Sequence, residues 1–174
     1  GGGNMARSLI GGLIADGWPA GRIQVTDTDP DVLTRLAERF GVTAGSDNGA
    51  AAASADVVVL AVKPQVMHTV ASEIHAAAQA HRPLVISIAA GIRSADLDRW
   101  LGGNTSIVRC MPNTPALVQS GATALFANAH VGADQRNVAE SILRAVGLTL
   151  WLDDEQLMDA VTALSGSGPA YFFL

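Results

Sequence analysis

The sequence predicts an α/β fold: a doubly wound, mostly parallel sheet followed by the start of an all-helical segment. Three observations carry this. Strand patterns alternate with helix patterns through the first 152 residues. The runs VVVLAV (57–62) and LVISIA (84–89) are continuously apolar, as strands covered on both faces must be. At the N-terminal end, GGGNMA passes directly into a helical pattern, as a phosphate-binding turn does. Hydrophobic residues make up 49% against 16% charged, enough to bury a core and too apolar for a disordered chain. With 174 residues there is room for one such domain and part of a second.

Each element follows from its residues. Residues 5–16 place Met5, Leu9 and Leu13 on one helical face. Residues 23–26 form a short strand. Residues 31–40 are an amphipathic helix, opened by Asp29-Pro30 and closed by Gly41. The small-residue stretch 49–55 reads as a helix, 56–62 as a buried strand and 65–80 as a helix. Residues 84–89 are a second buried strand, and 94–101 a short helix with Ser94 as its N-cap. Strands at 107–111, 122–127 and 148–152 frame a helix at 134–146. From Glu155 onward Leu157, Val161 and Leu164 keep helical spacing; SGSGP (165–169) breaks the chain and 170–174 opens another apolar helix. Two domains result: 1–152, of dinucleotide-binding type, and 153–174, the beginning of a helical one.

Several function classes are excluded. The net charge is −5 and no basic stripe is visible, so no nucleic-acid partner is expected. No apolar run approaches the length of a membrane span, so no membrane association is expected. The single Cys110 can form no internal disulfide and suits a reducing cytoplasm. The four histidines have no second ligand at metal spacing, so no metal site is expected.

The chemistry-bearing residues lie at strand ends. Gly1 and Gly3 allow a tight turn and close approach to a pyrophosphate, and Ala6 lets the helix pack closely on the sheet. Three glycines also suit a flexible tag, but a helix follows at once with no linker. Asp27, at the end of the second strand pattern, either meets a ribose diol and repels a 2′-phosphate, or caps the helix that follows. Pro64 ends a buried strand, which projects Lys63 into the crevice at the carboxyl edge. Ala89 and Ala90 end the next strand with room for a flat ring. In RCMPNTP (109–115) two prolines stiffen a loop that carries Asn113 and Thr114. Ser167 or Gly168 can cap a helix beginning at Pro169 and face a substrate carboxylate; ordinary interhelix chemistry is the alternative.

GGGNMA, AVKPQ, ISIAAGI, RCMPNTPALV and DAVTALSGSGPAYFF, in this order, resemble pyrroline-5-carboxylate reductases along the whole chain. The resemblance implies a Rossmann-type domain with the cofactor pyrophosphate at Gly1, Gly3, Asn4, Met5 and Ala6. It puts Asn48 near the adenosine, and Ala61, Val62, Lys63, Pro64, Ala89 and Ala90 along the ribose and nicotinamide. Asn113, Thr114, Glu155, Ser167 and Gly168 fall in the substrate region. Asp27 departs from the Ser or Thr common there, so the expected cofactor is NADPH with NADH accepted. The implied reaction is hydride transfer to the C=N carbon of a small cyclic imine, giving proline. A protonated imine is already electrophilic, and no side chain is singled out as catalytic. In the family a strand leads into the first glycine and a helical domain, which builds a homodimer or larger homo-oligomer, follows the last motif. The sequence therefore reads as a fragment cut at both ends. Two other readings stay open: a β-hydroxyacid-type dehydrogenase of the same architecture, which calls for a catalytic Lys beyond the sheet, and a non-catalytic nucleotide-binding module. Lys63 is the only lysine in the chain.

Overall fold

The computed structural model describes residues 1–167. Its central sheet has five strands: β3 (Val57–Leu60), β4 (Leu84–Ser87), β5 (Ile107–Pro112), β6 (Gly121–Ala127) and β7 (Gly147–Trp151), in that spatial order. Strands β3, β4 and β5 run parallel, β5 and β6 antiparallel, and β6 and β7 parallel again. The alternation along β4 shows why both faces must be covered. Val85 joins one core with Leu60, Met67 and Leu97, while Leu84 and Ile86 join another with Leu9, Leu125 and Leu143. The first core is roofed by α3 (Asn48–Ala53), α4 (Met67–His81) and α5 (Ser94–Trp100). The second is roofed by α1 (Asn4–Ala15) and α6 (Ala133–Arg144), so the sheet is doubly wound.

Two strands stand apart. β1 (Gln24–Thr26) and β2 (Thr43–Gly45) pair in parallel beside α2 (Pro30–Phe40) and form a third core of Ile10, Val25, Leu36 and Val42. They do not hydrogen-bond to the five-stranded sheet, and an apolar cleft of about 820 Å³ lies between β1 and β3. The doubly wound, mostly parallel architecture expected from the sequence is present, with β1 and β2 as a separate parallel pair among the described residues. The expected end signals of α2 hold: Asp29 accepts the N–H groups of Asp31 and Val32, and Gly41 takes the left-handed conformation (φ 68°).

Two further points differ from the sequence reading. β2 is an additional strand. Ser94 is not an N-cap; Arg93 holds that position and Ser94 is the first residue of α5. The break expected over 165–169 extends beyond the described residues. After α7 (Leu157–Val161) the chain continues as a wider, π-type turn over Thr162–Ser167. No helix of the described residues is long and apolar enough to cross a membrane, and they contain no cluster of three His, Cys, Asp or Glu side chains able to hold a metal.

Candidate cofactor site

The glycine turn is packed between two strand ends. A Cβ on Gly1 would come within 2.6 Å of the Ala61 carbonyl oxygen, just beyond β3. A Cβ on Gly2 would meet Val32 Cγ1 at 2.6 Å and Leu36 Cδ1 at 2.8 Å on α2. Both positions accept only glycine without a shift of their neighbours. Gly3 is different, since a Cβ there meets nothing within 4 Å. Gly3 is also the N-cap of α1, whose start has no side-chain cap and no acidic residue in its first turn. A helix start with open space before it and no internal anion is a fitting seat for a pyrophosphate. Ala6, 8% exposed, lies one turn in, where a larger side chain would push α1 off its packing.

Asp27 closes the turn from the other side. Its Oδ2 accepts the Gly2 N–H at 2.7 Å and its Oδ1 the Asp29 N–H at 2.9 Å. Burial pushes this carboxyl up, but the N–H donors of Gly2 and Asp29 outweigh it and hold it below the ordinary carboxylate range. One residue earlier, Thr26 donates to Asn48 Oδ1 at 2.6 Å, and Asn48 Nδ2 donates to Glu73 Oε2 at 2.6 Å. Asn48 thus stands beside the β1 end, tied to α4.

The remaining strand ends converge on the same edge. The Ile88 N–H donates to the Leu60 carbonyl at 3.2 Å, which joins the tips beyond β3 and β4. Lys63 is exposed at the start of a 3-10 turn (Pro64–Val66) and forms no ion pair with the described residues. Ala89 is buried and Ala90 half-buried at the β4 tip. After β5 the 3-10 turn Thr114–Val118 packs against α1, the helix that the glycine turn opens. Asn113 Oδ1 accepts the Ala122 N–H at 2.9 Å and pins that loop to the start of β6; Thr114 is exposed.

The family described as "NADP oxidoreductase coenzyme F420-dependent" matches residues 1–91, which hold the glycine turn, Asp27, Asn48 and the β3 and β4 tips. The chain belongs to this family. Its cofactor class is accordingly NADP(H). The chain is 53% identical over 174 residues to the pyrroline-5-carboxylate reductase of Pseudomonas aeruginosa, covering 100% of the chain and 63% of that protein. The solved pyrroline-5-carboxylate reductase from Coxiella burnetii superposes with a TM-score of 0.95 at 50% identity, covering 99% of this chain and 64% of that one. The Plasmodium falciparum pyrroline carboxylate reductase, solved with NADP bound, gives a TM-score of 0.86 at 28% identity over 99% of this chain and 63% of that one. The chain thus spans a little under two thirds of the length of these relatives.

Glu155 binds residues of α5 and β5. Its Oε1 accepts the Ser94 N–H at 2.6 Å and Arg109 Nη1 at 2.8 Å, and its Oε2 accepts the Ser94 hydroxyl at 2.9 Å. Burial pushes its carboxyl up, and the Ser94 N–H, the Arg109 guanidinium and the Ser94 hydroxyl together pull it below the ordinary range. Ser167 ends the π-type turn, and Gly168 lies outside the described residues. Cys110 is buried in the second core, and burial pushes its thiol up, which leaves it without nucleophilic character. The sequence reading assigns no site role to Gly2 or Arg109 and gives Ser94 only a capping one. The available signal was an arginine inside the apolar strand IVRCM, a place where a cation needs a partner.

Proposed function

We propose that this chain is the cofactor-binding part of a reductase that converts 1-pyrroline-5-carboxylate to L-proline with NADPH, NADH being accepted. The observation that carries the reading is the contact of the Thr114–Val118 turn with α1. It sets part of the RCMPNTPALV motif against the helix that the glycine turn opens. The 53% identity to a reductase of that name supports the same reading.

The residues fit the cofactor. The uncapped N–H groups at Asn4, Met5 and Ala6 would take the pyrophosphate, with Gly3 leaving the space open. Asp27 and Asn48 would flank the adenosine end. Ala61 to Pro64 would run along the ribose, with Lys63 adding positive charge, and Ala89 and Ala90 would offer the ring a flat apolar wall. When bound, the cofactor supplies a hydride. The chain's part is to hold two rings face to face and to exclude water. The imine carbon takes the hydride and its nitrogen keeps the proton it already carries, so no side chain is required as acid. Asn113 and Thr114 would border the substrate, and Ser167 and Gly168 would lie towards its carboxylate.

We place the enzyme in the cytoplasm, for which the single unpaired Cys110 speaks. A homodimer or larger homo-oligomer is supported by Leu148, Leu150, Leu157 and Leu164, which are exposed on and beyond β7. The test uses full-length protein, NADPH and 1-pyrroline-5-carboxylate, followed by loss of nicotinamide absorbance and by proline formed. Imine-dependent oxidation is expected. NADPH binding without oxidation by the imine would overturn the activity and favour a nucleotide-binding module.

A further inference from the structure

We propose that Glu155 is a positioning residue that holds loop 88–93 in the shape that receives the nicotinamide half of the cofactor. The proposal rests on the NADP(H) reading above and deepens it. Glu155 lies between β7 and α7, 61 residues from Ser94 and 46 from Arg109, yet its two oxygens take three donors from them. The Arg109 side chain is 6% exposed and that of Glu155 18%, so the pair is largely withdrawn from water. Removing either member leaves the other's charge buried and uncompensated.

The loop's other restraints are apolar packing, with Ala89 in the first core and Ile92 against it, and contacts at its two ends. At its beginning the Ile88 N–H is bonded to the Leu60 carbonyl. In its middle Gly91 is exposed with φ 75°, where the chain turns freely. At its end Arg93 and Asp159 pair at 3.7 Å, but both are exposed and contribute little. The firm anchor at that end is Ser94, gripped at both N–H and hydroxyl by Glu155. Ala89 and Ala90, the wall for the ring, lie between the two anchors. Arg109 ties the same carboxylate to β5, three residues before Pro112 and the loop of Asn113. One carboxylate therefore ties the far end of the loop, at Ser94, to β5, and does so from the segment after β7.

If the loop visits other shapes once the anchor is lost, apparent affinity falls by the fraction of chains still in the receptive shape. That loss concerns the nicotinamide end only. The experiment compares full-length wild type with Glu155→Gln by titrating NADPH and, separately, adenosine 2′,5′-bisphosphate, which keeps the adenosine end and lacks the nicotinamide. The expected result is an NADPH affinity about tenfold weaker with the bisphosphate affinity within about twofold. Should Glu155→Gln fold poorly, the double variant Glu155→Gln/Arg109→Gln removes both charges and leaves none unpaired; the same selective loss is expected. Ser94→Ala, which keeps the N–H bond, should fall between. Equal weakening of both ligands, or an unchanged NADPH affinity, would overturn the proposal. Wild-type protein that binds neither ligand would instead overturn the cofactor reading beneath it.

Discussion

Gly2 donates its N–H to Asp27 Oδ2 at 2.7 Å while the space beside its Cα is filled by Val32 and Leu36. The glycine turn is therefore fixed by β1 and α2, not only by the helix it opens. Gly2, which the usual spacing of such turns leaves unspecified, is as constrained as Gly1, and Gly3 is the one that faces open space.

Gly2→Ala and Gly3→Ala should accordingly fail in different ways. The added methyl at Gly2 overlaps two side chains at under 3 Å, and overpacking of this kind costs about 1–3 kcal/mol. At Gly3 the methyl meets no protein atom, and loss of a glycine N-cap costs no more than about 1 kcal/mol. It does project where the pyrophosphate is expected, so NADPH affinity should drop about tenfold. Urea unfolding and NADPH titration of both variants check the contrast. A Gly3→Ala variant with unaltered affinity would place the pyrophosphate elsewhere.

The charge of Asp27 should govern the choice between cofactors. Asn in its place still accepts a bond from the Gly2 N–H but no longer repels a 2′-phosphate. The ratio of NADPH to NADH affinity in Asp27→Asn should rise about tenfold. Fluorescence titration with both nucleotides measures it, and a constant ratio would mean that this carboxylate does not face the 2′ position.

The burial of β4 on both faces, the cap at Asp29 and the turn at Gly41 are legible in the sequence because each rests on neighbouring residues. β2 is not: Thr43–Gly45 is three residues long, with an exposed first residue and no apolar run. The direction of β6 could have been foreseen. The 3-10 turn Thr114–Val118 is too short to cross the sheet, and a strand joined so closely must return antiparallel. The grip of Glu155 on Ser94 and Arg109 was beyond reach, since nothing local signals a contact 46 or 61 residues away. Ser94 looked like a cap because Ser before a helix commonly is one. Here its donors are taken by a distant carboxylate.

Cys110 should be silent towards thiol reagents in the native protein. It is 3% exposed, and burial raises its pKa, so little thiolate forms and less is reachable. Reaction with a disulfide reagent at pH 8 should run roughly 100-fold slower than in denaturant. Comparable rates in the two states would contradict the buried position on β5.

Acid should weaken the fold through Glu155 and Asp27. Both carboxyls are held below their ordinary values, so the folded chain binds these protons less tightly than the unfolded one. Their stabilising contribution is complete above the unfolded values, about 3.9 for Asp and 4.3 for Glu. It is lost as pH falls through the lowered folded values. At pH 7 Glu155→Gln should be less stable than wild type by about 2 kcal/mol, the order of a hydrogen bond to a charged group. As pH falls below the unfolded value of about 4.3 towards the lowered folded one, the unfolded chain takes up the proton first and the wild-type advantage shrinks, so the gap should close. Urea midpoints at pH 7, 5, 4 and 3 follow the difference. A gap that persists unchanged to pH 3 would mean that the charge of Glu155 does not hold Arg109 and Ser94 together, and that shape alone does.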